Sequence, residues 1–560
     1  MHSAAKQVLL FTISLVFCFS SCKPKRVAKA KDVVTDLSKM DASVSENIEA
    51  MLSSAESANG LPSDSTYLPY FPVLDHYYTG DHSIPVWSSR AKWNNAADAL
   101  VSYIKNIHLQ GLFKEDYGFS KIEKLKLLLD SDSLKRKDAV LWARVDLLLT
   151  GALAGILKDL KQGRLQPDSL SLKYDTASYR NFFAVNIDRI RSGEIPDSVL
   201  EAVQPQHTGY KLLKSGIRTF TDSMDMRVYT HLVYPYKDTA TFKQLFLKRM
   251  SEEGIPVATD TDSAGLSKAI KKYQKEAGIF VDGKIGNGVV KSLNMTDRQR
   301  FIIIALTLDR YKVLPAKMPE KYIWVNLPAY YLKVVSADTV VFESKVICGK
   351  PATPTPFITS AITDIIIYPT WTVPSSIISK DMLPGLKRNT NYLSRKGLYL
   401  LNNDGDRIDP ATVNWARYSK GIPYRIQQGS GDDNALGVIK FNFNNPYSVY
   451  LHDTNQRYLF KNSVRDLSHG CVRVQEWEKL ANYIVRNDSI LAKKTDTLKY
   501  NSDSVRNWIA NKERHKIDVK NRIPLFIRYF GCEYVNGTIR FYDDIYGDDR
   551  ALAQKYFSGK

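Results

Sequence analysis

The sequence predicts a multidomain α+β protein: a helical scaffold and a small helical module, followed by a mostly β domain that carries a capping insertion. Three observations predict it. The chain has 560 residues, more than one hydrophobic core organises, so about two to four domains are expected. Helical periodicity dominates from Tyr70 to about Asp238: Ala97, Leu100, Val101, Ile104 and Ile107 recur at helical spacing, and Ala139 to Leu160 is a strongly apolar helical stretch. From Tyr322 the period changes to two, with Ile323, Val325, Leu327, Leu332, Val334, Val340, Phe342 and Val346 alternating with polar residues.

Taken in order, Lys6 precedes an apolar run from Val8 to Phe19, too short to span a bilayer, and Ser20 and Ser21 lead into Cys22. That is the layout of a secretion signal over residues 1–22, with an uncleaved anchor as the alternative. Residues 23–69 are polar and poor in aromatics, which predicts a tether with at most a loose amphipathic turn. Residues 70–240 form the helical scaffold domain, and no chemistry is visible in it. Residues 241–297 form the small module: Leu245, Leu247, Met250 and Ile255, a helix from Leu266 to Ala277, then Gly278 and the turn Asp282-Gly283-Lys284-Ile285-Gly286. A connector, 298–320, leads into the β domain, 321–549. There the period-two pattern returns at Asp364–Tyr368, Gly437–Phe443, Tyr447–Leu451, Leu525–Phe530 and Thr538–Tyr542. Between them, about 375–430 mixes helical and turn signals, as a lid inserted into a sheet domain does. Residues 550–560 are a tail.

The net charge of +19 is spread along the chain and favours a polyanionic neighbour. With no zinc-knuckle spacing and no aromatic and basic RNA-binding box, nucleic acid is not expected, and the acidic polymers of a cell envelope gain. Of five cysteines, Cys18 and Cys22 belong to the signal, which leaves Cys348, Cys471 and Cys532, an odd number, so at least one stays a free thiol. Cys348 and Cys532 sit in apolar strand-like surroundings and are read as core residues.

The chemistry concentrates in Tyr450-Leu451-His452-Asp453-Thr454 and Ser468-His469-Gly470-Cys471-Val472-Arg473-Val474. A thiol attacks acyl carbons only as thiolate, and an imidazole titrates in the range that lets it take the proton and return it. Gly470 allows close backbone approach, and the amides beside it are candidates for an oxyanion cradle. His469 is read as a supporting residue, and Asp453 is not enlisted as a third triad member. A zinc site from His452, His469 and Cys471 lacks a fourth ligand, so neither metal nor cofactor is expected.

These residues resemble the signature of L,D-transpeptidases of the YkuD type, in the large branch that adds a helical scaffold and a peptidoglycan-binding domain. Gly349-Lys350, Thr355-Pro356, Pro369-x-Trp371-x-Val373-Pro374 and Asp543-Asp544-Ile545-Tyr546-Gly547 fall in the same order. The resemblance implies Cys471 as nucleophile, His452 as general base, Ser468, His469, Gly470 and Arg473 as oxyanion and shaping shell, and Tyr450 and Trp371 against the substrate. Asp453 departs from the glycine many members carry, and Tyr368 from an asparagine. Residues 241–297 resemble the peptidoglycan-binding domain through Tyr273, Gln274, the Asp-Gly-x-x-Gly turn, Leu293 and Asn294, with Val289 at a position usually held by threonine. Cys22 resembles a lipobox cysteine, implying lipidation there and a place on the periplasmic side of the envelope. The implied reaction is 3-3 cross-linking of peptidoglycan stem peptides through a Cys471 thioester with release of D-alanine. The alternatives are hydrolysis or D-amino-acid exchange at the same bond, and a non-catalytic wall-binding scaffold.

Overall fold

The computed structural model describes residues 29–56, 68, 70–79, 84–165, 176–491 and 500–558; the signal segment with Cys22 and part of the expected tether lie outside them. The chain divides into two compact units, one of Met1–Lys105, Lys114–Leu157 and Asp175–Glu201, the other of Asn106–Phe113, Lys158–Tyr174 and Ala202–Lys560.

The first unit is helical. The tether expectation fails within it. Residues Met40–Glu56 form a helix that buries Val44, Ile48, Met51, Leu52 and Ala55, and Val34 N–H donates to Lys137 O at 2.8 Å. Apolar residues four apart make one side of this segment a core face although its overall composition is polar. The helix Ala139–Gln162 is apolar enough to cross a membrane, yet 89% of its most apolar window is buried within the fold. Its Asp146 accepts from Tyr78 Oη at 2.5 Å and from the Val86 and Trp87 amides at 2.9 and 3.0 Å. Burial lifts that carboxyl to about 6, against the pull of these donors.

The second unit holds the small module and the β domain. The module's helices, Thr239–Glu252, Ser263–Glu276 and Asn287–Asn294, enclose Phe246, Met250, Ile270, Tyr273, Val289 and Leu293. Its core begins earlier than position 241, because Asn294 brackets Leu232, accepting from its N–H at 2.9 Å and donating to its carbonyl at 2.8 Å. Gln274 staples the turn: Oε1 accepts from the amides of Asp282 and Gly283, and Nε2 donates to Asp282 Oδ1.

Eight strands close into a barrel. They are β1 Lys321–Asn326, β2 Tyr331–Ser336, β3 Thr339–Gly349, β4 Ile358–Ile367, β5 Ile439–Phe443, β6 Leu451–His452, β7 Val472–Val474 and β8 Pro524–Arg528. The order round the ring is β5-β6-β7-β3-β2-β1-β8-β4, and β4 pairs back to β5. Closure leaves no unpaired edge along the ring. Within the ring, β6–β7 and β1–β8 are parallel and the other pairs antiparallel. Ile323, Val325, Leu332, Val334, Val346, Ile365, Phe441, Leu451 and Val472 belong to the core, and the helix Trp477–Leu491 packs Leu480, Ala481, Ile484 and Val485 into it.

The insertion between β4 and β5 is a folded body. Strands Trp371–Thr372, Arg425–Gln428, Leu398–Leu401 and Arg407–Ile408 form a separate sheet in that order. Val373, Met382, Leu383, Leu386, Leu393, Leu400, Trp415 and Ile426 make its own core. It starts at Trp371, a few residues before the expected position 375.

Candidate active site

Strand alternation assembles the site. Ile439 and Phe441 on β5, Leu451 on β6, and Val472 and Val474 on β7 are core residues, so Lys440, Tyr450, His452, Cys471 and Arg473 project from the opposite face. His452 lies between two cations, Lys440 across the antiparallel β5–β6 ladder and Arg473 across the parallel β6–β7 ladder. The Val472 amide donates to Tyr450 O at 3.1 Å, which sets Cys471 beside Tyr450.

Cys471 is half-buried, and its Sγ lies 3.9 Å from Ser448 O. Burial raises the thiol, opposed by Tyr450, through backbone and hydroxyl, and by the charges of Lys440 and Arg473. Tyr450 links sulfur to imidazole: its ring stands edge-on to His452 with centroids 5.6 Å apart, and its hydroxyl interacts with Cys471 and the Trp371 indole. Burial first, then Arg473 and Lys440, push His452 down to about 3, with the backbone at Asp453 and Leu436 pulling the other way. The imidazole is therefore neutral at physiological pH. Its Nδ1 is buried without a hydrogen-bond partner.

Asp453 is not that partner. Its carboxylate accepts from Arg457 Nε and Nη2 at 3.0 and 2.5 Å and from the Val438 amide at 3.1 Å. Gly437 is required beside it: φ is +63°, and a Cβ there would stand 2.2 Å from Asp453 Oδ2. Tyr368, the other departure, has φ +47° and donates to Asp432 Oδ1 at 2.5 Å.

The turn before the cysteine is clamped from two sides. Ser468 Oγ accepts from the Gly470 amide at 3.1 Å and donates to Cys471 O at 2.5 Å. The Gly470 amide is therefore engaged by Ser468 in this arrangement, and this glycine adopts a φ of +115°. Thr355 Oγ1 accepts from the Gly349 amide at 2.9 Å and donates to Gly470 O at 2.8 Å, while Tyr546 Oη donates to Gly349 O at 2.7 Å. His469 turns away to the cap, its Nε2 2.5 Å from Asp381 Oδ2 and 3.4 Å from Lys350 Nζ. Arg473 Nη1 donates to Gln456 Oε1 at 3.3 Å, and its Nε is buried without a partner. Sequence reasoning missed Lys440 and Asp381, since neither belongs to a motif.

Among the described residues no three His, Cys, Asp or Glu side chains group closely enough to hold a metal ion. Cys348 and Cys532 are buried and unpaired; burial drives Cys348 up to about 12 and Cys532 higher.

Residues 320–493 match the YkuD family, described as the L,D-transpeptidase catalytic domain, and residues 72–216 match a family described as a scaffold domain. The chain carries an L,D-transpeptidase catalytic domain joined to a scaffold domain. A Haemophilus influenzae protein with a provisional L,D-transpeptidase name is 33% identical over 262 residues, covering 47% of this chain and 50% of that protein. The chain thus spans half the length of that curated relative. Two solved structures are also similar. The catalytic domain of an E. faecium L,D-transpeptidase acylated by ertapenem is 13% identical, covering 38% of this chain and 99% of that one, with TM-score 0.17. The Ldtfm–avibactam carbamoyl enzyme is 11% identical, covering 48% and 81%, with TM-score 0.17. In this chain the barrel extends past the matched segment: β8, which pairs with both β1 and β4, and Tyr546, which donates to Gly349 O behind the turn that carries Cys471, follow residue 493.

Proposed function

We propose that this chain is a cysteine acyltransferase that joins peptidoglycan stem peptides through 3-3 cross-links. The observation that carries the reading is that Cys471 and a neutral His452 share the outer face of β6 and β7, under a folded cap, within an L,D-transpeptidase domain. His452 takes the thiol proton as Sγ attacks the carbonyl between the third residue of a donor tetrapeptide and its terminal D-alanine. Collapse of the tetrahedral adduct breaks the C–N bond, and the imidazolium returns the proton to the leaving D-alanine amine. The side-chain amine of a second stem then attacks the thioester, His452 removes its surplus proton, and the new amide releases Cys471. A neutral, buried imidazole suits both halves, since it accepts a proton only as charge moves in the reaction. With the Gly470 amide held by Ser468, the Cys471 amide is the main-chain donor assigned to the oxyanion. Tyr450 and Trp371 line the donor side, and the Asp381–His469 contact ties the cap to the catalytic turn. A closed cap keeps water from the thioester.

The same reading places the protein in the cell envelope on the periplasmic side, held by a lipid on Cys22, with the module around 241–297 against peptidoglycan. Wall digests from cells expressing wild type or Cys471→Ala test it by mass spectrometry: 3-3 dimers disappear with the variant. Unchanged dimers contradict the reading. Tripeptide without dimers, from purified enzyme and tetrapeptide, assigns hydrolysis instead.

A further inference from the structure

Lys440 and Arg473 are cations without an acid of their own. Lys440 alternates with the core residues Ile439 and Phe441, and its side chain crosses the outer face so that Nζ lies 4.0 Å above the Tyr450 ring centroid. Arg473 reaches Gln456 and leaves Nε buried and unpartnered. Among the described residues, neither side chain forms a salt bridge with a carboxylate. The acid that acts on Lys440 is Asp364, whose two oxygens are taken by Asn442 Nδ2 at 2.7 Å and Thr363 Oγ1 at 2.8 Å. Asp453 is committed to Arg457. Both cations are partly buried, where an unpaired charge is costly. Passing the Cys471 proton to His452 leaves the net charge of this face unchanged, so Lys440 and Arg473 remain uncompensated before and during attack, and Arg473 Nε is a buried donor without a partner.

We propose that Lys440 and Arg473 form a carboxylate receptor beside Cys471, so that the donor must carry a free carboxylate next to the bond that the sulfur cleaves. In a tetrapeptide that group is the carboxylate of the terminal D-alanine, one residue beyond the attacked carbonyl. This rests on the acyl-transfer reading above. It makes Lys440 a specificity residue that reads the end of the peptide, in contact with substrate but not with the proton being moved.

The test compares thioester formation on the full-length protein, followed by intact mass over time. The substrates are the tetrapeptide and the same peptide amidated at its C-terminus, and the proteins are wild type, Lys440→Gln and Lys440→Arg. Amidation is expected to raise the wild-type KM by about tenfold, the loss of one charge-assisted contact. Lys440→Gln should erase most of the wild-type preference for the acid over the amide, measured as the ratio of their acylation efficiencies so that any common change through Cys471 and His452 cancels, and Lys440→Arg should restore most of that preference. The proposal is overturned if wild type acylates both peptides alike, a comparison that needs no variant to fold. It is also overturned if Lys440→Gln slows both peptides equally and so keeps the wild-type preference for the acid, since Lys440 then acts only through Cys471 and His452. If wild type forms no thioester with either peptide, the acyl-transfer reading itself falls and this receptor falls with it.

Discussion

His452 is kept neutral by burial and by the flanking cations Arg473 and Lys440, and this ties stability to pH. The folded state holds the imidazole unprotonated down to about 3, while an unfolded chain protonates it near 6.5, so unfolding takes up a proton between those values. The contribution is fully present above pH 6.5 and is lost as pH falls through that window, at up to about 1.4 kcal/mol per pH unit. His452→Gln should therefore flatten the acid limb of the Tm-versus-pH curve; an unchanged limb contradicts the neutral imidazole. At Gly437, alanine must adopt a left-handed φ and displace the buried Asp453 carboxylate, so Gly437→Ala should cost about 2–4 kcal/mol in chemical denaturation. Cys471 and His452 were legible because their local order is diagnostic. Lys440 was not, being one of 78 lysines and arginines that only strand register sets opposite His452. The engagement of the Gly470 amide was equally hidden, since it depends on where the Ser468 hydroxyl turns.

The elements that hold the site do so through a few bonds at their ends. Thr355 bridges the end of β3 to the turn that carries Cys471, and Thr355→Val leaves the Gly349 amide and Gly470 carbonyl unpaired in a buried place. The expected cost is on the order of 2–4 kcal/mol in denaturation, with a fall in acylation rate as the turn loosens. The cap meets that turn through Asp381 and His469, so Asp381→Asn should raise hydrolysis relative to transfer several-fold in product analysis with donor and acceptor peptides; an unchanged ratio would mean that this contact does not govern water entry. Long strands were legible from period two, as in β1 and β2. The cap's sheet was not, because Trp371–Thr372 and Arg407–Ile408 are too short to establish any period. The helix Met40–Glu56 escaped notice for a different reason. Its polar residues dominate composition while Val44, Ile48 and Leu52 form a single buried stripe.

Over the whole molecule, the α+β order and the change from helical to period-two patterning were visible, because each region buries one face with its own spacing. Closure of the barrel was not, since the pairing of β4 with β5 and of β8 with β1 joins strands far apart in the chain. That long-range closure matters to function: it holds β5, β6 and β7 side by side, and so Lys440, His452, Cys471 and Arg473 on one face. The central claim is that this face makes a thioester. Intact-protein mass after incubation with a stem tetrapeptide tests it most directly. Wild type should gain the mass of the peptide less that of D-alanine, and Cys471→Ala should gain nothing. An unchanged wild-type mass, with D-alanine absent from solution, would contradict the account.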